Sequence, residues 1–223
     1  MDIQKISWIL VSIILPAHSA TTFFSGEIGS SDWTTAQVIG NGGQVFSISM
    51  TDGNPDTFFR VETIDTSFIN YTHLNSSFIH NPATVPINTI DFSIDVRNFF
   101  AFQQGMGFAV IAEQDNNIYQ APYLASSSTP DTFDWHTRSQ PNALFQSDFA
   151  AIVGNGTLDF SSSGSPITFG LLTFNSGGLG ITAGFDNYQV TVNPVPEPTA
   201  PCFLIASTFF ASAYRKRTMP KLA

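Results

Sequence analysis

Two carboxylates, Asp91 and Asp95, lie four residues apart in the segment INTIDFSIDVRNF. Apolar and polar residues alternate through this segment, which predicts a half-buried strand with both carboxylates on its polar face. Two carboxylates that flank a glycosidic bond are the usual machinery of polysaccharide hydrolysis. Any strand with one face in water shows the same alternation, so we predict no catalytic residue and keep a polysaccharide-active enzyme as an alternative.

Sugar binding without catalysis is the second chemistry that the sequence suggests. Trp33 in SSDWTTAQV and Trp135 in DTFDWHTRSQ each stand beside an aspartate. An exposed indole can stack on a sugar ring while neighbouring polar groups, here including Arg138, hydrogen-bond to its hydroxyl groups. Trp33, Trp135 and Arg138 are therefore the candidate sugar contacts, with packing in the core as the alternative for each tryptophan.

Other catalytic groups are scarce. His73, His80 and His136 are predicted to lie in polar loops, and none has a second histidine at the spacing of a metal site. The sequence contains no Gly-x-Ser-x-Gly motif, and its one cysteine, Cys202, lies in an apolar run near the C-terminus. The central part of the chain therefore has no cysteine nucleophile and no disulfide.

The central part is strongly acidic. In residues 21–197, three arginines oppose sixteen acidic residues between Glu27 and Glu197, a net charge of about −13. Such a surface repels the phosphates of nucleic acid, so no nucleic-acid partner is predicted. Carboxylates are also the oxygen ligands that calcium prefers, although solubility from net charge is the simpler explanation of this composition.

Short alternating segments dominate residues 21–193. About ten strands separated by turn clusters such as DGNPD and SSSGSP, with no amphipathic helical window, predict an all-β domain. Its length favours an antiparallel two-sheet β-sandwich of the jelly-roll or concanavalin-like type. Many of the 22 phenylalanines of the chain stand at strand positions, where they can fill the core.

The segment AGFDNYQVTV at 183–192 resembles the last strand of many jelly-roll and concanavalin-like extracellular modules. The resemblance implies that Asp186 helps to hold a structural calcium ion against the N-terminal strand. Glu27 or Asp32 would supply the opposing oxygens. The alternative for Asp186 is a capped turn.

The N-terminal residues 1–20, MDIQKISWILVSIILPAHSA, have the composition of a secretory signal peptide. A basic residue precedes a short apolar core, and Pro16 and small residues follow it. The apolar run is too short for a permanent membrane anchor, which predicts a cleaved signal helix and an exported protein.

The C-terminal residues 194–217 read PVPEPTAPCFLIASTFFASAYRKR. This segment resembles the PEP-CTERM sorting signal, the substrate of exosortases in exopolysaccharide-producing bacteria of the Gram-negative type. The resemblance implies cleavage at Pro196, Glu197 and Pro198 and a hydrophobic helix that holds the chain transiently in the inner membrane. It also implies a cytoplasmic stop at Arg215, Lys216 and Arg217, in agreement with the positive-inside rule.

These predictions divide the chain into a signal peptide (1–20), a sandwich domain (21–193), a sorting signal (194–217) and a tail (218–223). The expected partners are the secretion machinery and an exosortase-like enzyme, with exopolysaccharide as candidate ligand. The predicted function is that of a non-catalytic cell-surface or extracellular-matrix protein. The alternatives are a polysaccharide-active enzyme of the concanavalin-like type and a purely structural or adhesive module.

Overall fold

The computed structural model describes residues 18–28, 30–40, 44–54, 56–63, 68–99, 106–126, 134–176 and 181–196. All of these except His18 and Pro196 belong to one compact unit, Ser19–Val195. The buried residues of the main hydrophobic core also lie within this unit. The segment Ser19–Val195 thus contains a core of its own, as an independently folding domain requires.

The secondary structure of the described residues is almost entirely β. A single 3₁₀ turn, Gln146–Asp148, accompanies thirteen strands. The strands are β1 (Thr21–Ser25), β2 (Trp33–Gly40), β3 (Gln44–Gly53), β4 (Asp56–Thr63), β5 (Phe68–His80), β6 (Ile87–Asn98), β7 (Gly107–Gln114), β8 (Asn117–Gln120), β9 (Leu124–Ala125), β10 (His136–Ser139), β11 (Ala150–Val153), β12 (Ile167–Ser176) and β13 (Thr182–Pro194).

The strands form two antiparallel sheets. Sheet A has the order β10-β6-β13-β4-β3, with β1 paired to the C-terminal half of β13. Sheet B has the order β11-β8-β7-β12-β5-β2, with β9 paired to the start of β7. The predicted antiparallel two-sheet sandwich is therefore confirmed for the described residues, while the narrower description as jelly-roll or concanavalin-like stays a prediction.

The core lies between the two sheets and is rich in aromatic rings, as the phenylalanine content predicted. Phe92 from sheet A packs edge-on against Phe108 from sheet B, with ring centroids 6.5 Å apart. Tyr188 of β13 crosses the core, and its hydroxyl group donates a 2.8 Å hydrogen bond to the carbonyl oxygen of Gly170 in β12. This bond ties the centres of the two sheets together where water is excluded.

The predicted placement of the histidines in polar loops was wrong. His73 is completely buried in β5, His80 is buried at the end of the same strand, and His136 begins β10. The segment Phe68–His80 was not recognised as a strand because several of its buried positions carry polar side chains. Two of them, Thr72 and His73, find hydrogen-bond partners on the neighbouring strands β2 and β12, which offset the cost of burying them.

The predicted signal helix lies outside the described residues except for 18–20, and the predicted C-terminal hydrophobic helix lies outside them entirely. Among the residues that the structure does describe, no helix has the length and apolar character needed to cross a membrane.

Candidate functional site

The outer face of sheet A, the side turned away from sheet B, carries mostly short polar side chains. On β6, Asp91 and Ser93 alternate with the buried residues Ile90, Phe92 and Ile94. The register of the sheet places the polar residues of three strands side by side. Ser93 lies opposite Ser139 of β10 on one side and Gln189 of β13 on the other, and Asp91 lies opposite Thr191.

These strands enclose a shallow groove on the outer face, with a volume of about 150 Å³. Its described lining consists of Asp91, Phe92, Ser93, Ser139, Gln140, Gln189 and Thr191. Hydroxyl and amide groups both donate and accept hydrogen bonds, so the groove matches a ligand that also does both. Asp91 is the one charged residue in this lining.

Neighbouring side chains hold several groove residues in place. The amide of Asn193 donates a 2.8 Å hydrogen bond to Asp91 Oδ2, and Gln140 Nε2 donates to the carbonyl oxygen of Pro122 at 2.7 Å. Thr191 Oγ1 lies 3.0 Å from Thr22 Oγ1 on β1. Such contacts fix the orientation of polar groups before a ligand arrives, which lowers the entropic cost of binding.

An exposed aromatic ring stands beside the groove. Phe24 of β1 lies directly opposite Gln189 and is 57% exposed. Its neighbour Phe23 points the other way and packs against Phe78 and Phe169 in the core. Phe24 was not among the predicted sugar contacts, although the pair Phe23-Phe24 in a strand carries the signal. Successive side chains face opposite sides of a sheet, so one of the two rings must face outward.

Trp135, a predicted sugar contact, lies on the same outer face as the groove. Its indole Nε1 donates a 2.8 Å hydrogen bond to the carbonyl oxygen of Asp52, and its ring packs edge-on against Phe58. A Cβ atom at Gly184 would come within 2.9 Å of the indole, so the glycine allows this close approach. Trp135 is half-buried, which leaves part of its surface available to a ligand.

The two other predicted sugar contacts lie elsewhere. Trp33 is only 8% exposed and packs edge-on against Phe78 and Tyr188, so its indole belongs to the core. Arg138 lies between Thr137 and Ser139 on β10, and alternation therefore turns it away from the groove that Ser139 lines. The structure brings only Trp135, of the three, to the polar face.

A network of hydrogen bonds surrounds Asp186 at the end of sheet A. The carboxylate of Asp186 accepts bonds from the backbone N–H groups of Asn54 (2.6 Å) and Asn187 (2.7 Å). Asp95, its cross-strand neighbour, accepts bonds from the side chains of Asn54, Asn187 and Thr137. The network attaches the turn between β3 and β4 to the neighbouring strands β6 and β13.

The two carboxylates at this end are both buried, and Asp186 is 1% exposed. Burial raises the pKa of Asp186, as do the nearby charges of Asp95 and Glu27, against the opposing effect of the two backbone N–H bonds. Within the described part of the chain, no three His, Cys, Asp or Glu side chains converge closely enough to hold a metal ion. Calcium at Asp186 accordingly stays a prediction, and the contacts described are those of a capped turn.

Asp91 and Asp95 do not act as a pair in this geometry. Asp91 is exposed at the groove, whereas Asp95 is buried and hydrogen-bonded on both carboxylate oxygens. Four residues of strand separate their backbones by about 13 Å. Glycosidases hold the two carboxyl groups roughly 5–9.5 Å apart on either side of one bond, an arrangement that this face does not offer.

The predicted sorting residues Glu197, Pro198, Arg215, Lys216 and Arg217 lie outside the described residues. Pro196 is described and exposed, two residues after the end of β13 at Pro194.

Comparisons with known proteins give low similarity throughout. No protein-family model matches the chain, and no curated protein matches it. Among solved structures, a family 11 carbohydrate-binding module from Clostridium thermocellum, in complex with a β-1,3-1,4-mixed-linked tetrasaccharide, has 12% identity and a TM-score of 0.47; the match covers 80% of this chain and 98% of that one.

Two further carbohydrate-binding modules are similar at the same level. A family 30 module has 11% identity and a TM-score of 0.47, with 72% of this chain and 99% of that one covered. A family 61 module in complex with β-1,4-galactotriose has 7% identity and a TM-score of 0.41, with coverages of 75% and 92%. These values assign the chain to none of these families, and its function has to be argued from its own surface.

Proposed function

We propose that the sandwich is a non-catalytic module that binds a neutral polysaccharide on the outer face of sheet A. The observation that carries this proposal is the polar groove with the exposed ring of Phe24 at its side. Hydroxyl and amide groups recognise the hydroxyl groups of a sugar, and an aromatic face covers its apolar C–H surface.

Charge favours a neutral ligand over an acidic one. Asp91 is the only charged group in the described lining of the groove, and the whole chain carries a net charge of −9. The nearby cations on the same face are engaged elsewhere: Arg60 with Glu62 at 3.2 Å, and Arg97 with the ring of Phe99 and the carbonyl oxygen of Asp52. A polymer of uronate or sulfated sugars would therefore meet repulsion.

The size of the groove favours a polymer that lies across the sheet. A volume of about 150 Å³ is smaller than the roughly 300–1,000 Å³ of pockets that enclose a small ligand. Trp135 directly precedes β10, and about 13 Å of extended chain separates it from the groove residue Ser139. An extended chain could contact Trp135 and the groove at once.

The test is affinity electrophoresis of Ser19–Val195 in gels that contain mixed-linkage β-glucan, β-1,4-galactan or a polyuronate. We expect at least one neutral polymer to retard the protein and the polyuronate not to do so. Substitution Phe24→Ala or Gln189→Ala should remove the retardation. The matched control is Ile79→Ala, because Ile79 is an apolar residue of similar exposure (52%) on sheet B.

Equal retardation of wild type, Phe24→Ala and Gln189→Ala would overturn the location of the site, and binding to the polyuronate alone would overturn the ligand class. Release of reducing ends in the same samples would support the enzyme alternative. If no polymer binds, a structural or adhesive module becomes the better explanation, and the buried position of Trp33 already fits that alternative.

We further propose that the protein is exported, held transiently in the inner membrane and cleaved by an exosortase-like enzyme at Pro196, Glu197 and Pro198. It would then remain at the cell surface or in the extracellular matrix. The sequence of the two termini supports this proposal. Because β13 ends at Pro194, cleavage at the Pro-Glu-Pro tripeptide leaves every described strand intact. Intact-mass analysis of the surface-extracted protein tests the proposal, and a mass that still includes residues 199–223 would refute it.

A further inference from the structure

The turn between β3 and β4 reaches across the outer face of sheet A. Within the sheet, β4 and β10 are separated by β13 and β6. Trp135, directly before β10, nevertheless donates its indole N–H to the carbonyl oxygen of Asp52 at 2.8 Å. Arg97 Nη1 of β6 donates to the same oxygen at 3.3 Å. Residues 52–54 therefore lie over the strands between the two edges, and their position determines where the indole N–H points.

Asn54 holds this turn against the face. Its backbone N–H donates to Asp186 Oδ2 at 2.6 Å, and its side-chain amide donates to Asp95 Oδ2 at 3.0 Å. The side-chain amide of Asn187 donates to the carbonyl oxygen of Asn54 and, at 2.8 Å, to Asp95 Oδ2. Hydrogen bonds to carboxylates are stronger than those between neutral groups. Asn54 is thus attached to β6 and β13, two of the strands that form the groove.

Two backbone conformations that are costly for residues other than glycine occur at this contact. Asp52 (φ 69°) and Asn187 (φ 49°) both lie in the left-handed region. The other two described non-glycine residues with positive φ, Asp115 and Asn116, form the turn between β7 and β8. Such a conformation persists where surrounding contacts fix the backbone, and it is frequent at functional sites. Here the hydrogen bonds of Asp52 and Asn187 are those contacts.

The indole ring of Trp135 is held at two points. It packs edge-on against Phe58, which is 3% exposed, with ring centroids 5.3 Å apart, and its N–H is bound to Asp52. An indole stacks on a sugar through its flat face, so the orientation of the ring decides whether that face is available. A ring that is already immobilised also loses less entropy when a ligand binds. Loss of the bond to Asp52 should therefore weaken binding although no ligand-contacting group is removed.

We propose that Asn54 and Asn187 are positioning residues for the polysaccharide contact of Trp135. They hold residues 52–54 against sheet A, and the carbonyl oxygen of Asp52 then orients the indole ring for the same polymer that the groove binds. This inference rests on the proposed polysaccharide binding. It adds a determinant of affinity that lies outside the groove and acts only through Trp135.

Fluorine NMR of Ser19–Val195 labelled with fluorotryptophan tests the positioning without a ligand. This segment contains two tryptophans, so the wild type gives two resonances, and Trp135→Phe identifies the one that belongs to Trp135. We expect Asn54→Ala and Asn187→Gly each to shift or broaden the Trp135 resonance and to leave that of Trp33 unchanged. Because glycine adopts positive φ without strain, Asn187→Gly removes the side-chain bonds without distorting the backbone.

The matched control is Asn81→Ala. Asn81 is also exposed, and its side chain accepts a hydrogen bond from the backbone of another turn, so the control loses a comparable contact. It should alter neither resonance. A Trp135 resonance that is unchanged in Asn54→Ala and Asn187→Gly overturns the positioning, and so does an equal change in Asn81→Ala. If one of the two variants does not fold, the other provides the test.

Affinity electrophoresis with a neutral polymer that retards the wild type gives the second readout. Asn54→Ala should weaken binding by about two- to tenfold, the equivalent of immobilising one side chain. In a Trp135→Phe background the same substitution should have no further effect, because Asn54 acts through the indole. Unchanged binding by Asn54→Ala, or further weakening in that background, overturns the proposal. If no neutral polymer binds, the proposed function fails, whereas an unchanged Trp135 resonance overturns the positioning alone.

Discussion

The two outer faces of this sandwich are built on the same alternation of side chains, yet their chemistry differs. On sheet A the outward positions carry hydroxyl, amide and carboxylate groups, and a groove opens between β10, β6 and β13. On sheet B the corresponding positions form a small aliphatic cluster. Its fully buried members are Ala109, Ile111 and Leu172, and Leu74, Ile118 and Ile152 pack against them.

Side chains on the two outer faces therefore contribute differently to folding stability and to ligand recognition. Aliphatic side chains on the outer face of sheet B gain free energy of folding by leaving water. The exposed polar side chains on sheet A gain little from folding, since water can satisfy them equally well in the unfolded chain. They remain available to a ligand, so substitutions on the two faces should have opposite consequences.

The largest predicted effect on stability concerns His73, which is buried in the core between the two sheets. Its Nδ1 lies 2.9 Å from Thr35 Oγ1 and its Nε2 lies 3.0 Å from Thr173 Oγ1. Burial lowers the pKa of His73 from 6.5 to about 3. On acidification the unfolded chain therefore takes up this proton first, and stability is lost as the pH falls below 6.5. The loss at pH 3 is on the order of 4–5 kcal/mol.

Denaturant titrations from about pH 7 to about pH 4 measure this loss as a fall in the free energy of unfolding. The fall should be much smaller in His73→Gln, which cannot titrate, and should persist in His136→Gln on the edge strand β10. If His73→Gln does not fold, the pH dependence of the wild-type free energy of unfolding tests the prediction by itself. A free energy of unfolding that stays constant between about pH 6.5 and about pH 5 contradicts the prediction, because ordinary carboxylates titrate below that range.

A pair of substitutions tests the contrast between the faces directly. Leu172→Ala on sheet B should lower the free energy of unfolding by about 2–5 kcal/mol, because it leaves a cavity at a fully buried site. Thr191→Ala on sheet A should lower it by less than about 1 kcal/mol, since its hydrogen bond to Thr22 is exposed. Chemical denaturation gives both values.

Polysaccharide binding by the same two variants should show the reverse order. Thr191→Ala removes a hydroxyl group from the groove and should weaken retardation, whereas Leu172→Ala should bind like the wild type while it remains folded. Equal losses of stability, or weaker binding in Leu172→Ala alone, would remove the proposed division between the two faces.

Much of the sandwich could be predicted because most buried strand positions carry apolar residues. β6 is the clearest case: Ile90, Phe92, Ile94 and Val96 are all buried, as the alternation indicated. The same reasoning failed at β5, where Asn70 and His73 occupy buried positions. The partners of His73 come from β2 and β12, and hydrogen bonds between strands so distant in sequence cannot be read from one segment.

The candidate site was predictable only in part for the same reason. The polar face of β6 follows from its own sequence, but the groove exists because β10 and β13 lie on either side of β6. A sequence also shows where the aromatic residues are, but not which of them will be buried against the second sheet. Trp33 was covered by Phe78 and Tyr188, and Phe24 was left exposed.

The smallest predicted effect concerns Asp186, at the end of the polar face. Because its pKa in the folded protein lies above the ordinary value of 3.8, the unfolded chain releases this proton first as the pH rises. The stability that the neutral carboxyl group contributes at low pH is then lost as the pH passes through the folded pKa. In Asp186→Asn this loss should be absent. The difference in free energy of unfolding between the two proteins should change over that range and be constant at neutral pH.

The same variant tests the predicted calcium ion. An ion held by Asp186 would stabilise the wild type in proportion to the logarithm of the calcium concentration and would leave Asp186→Asn unchanged. Asp115→Asn is the control, because Asp115 is an exposed carboxylate in a turn between β7 and β8. If calcium raises the melting temperature of all three proteins equally, or of none, then hydrogen bonds alone hold this end of sheet A. The contrast between the two outer faces then involves no metal at Asp186.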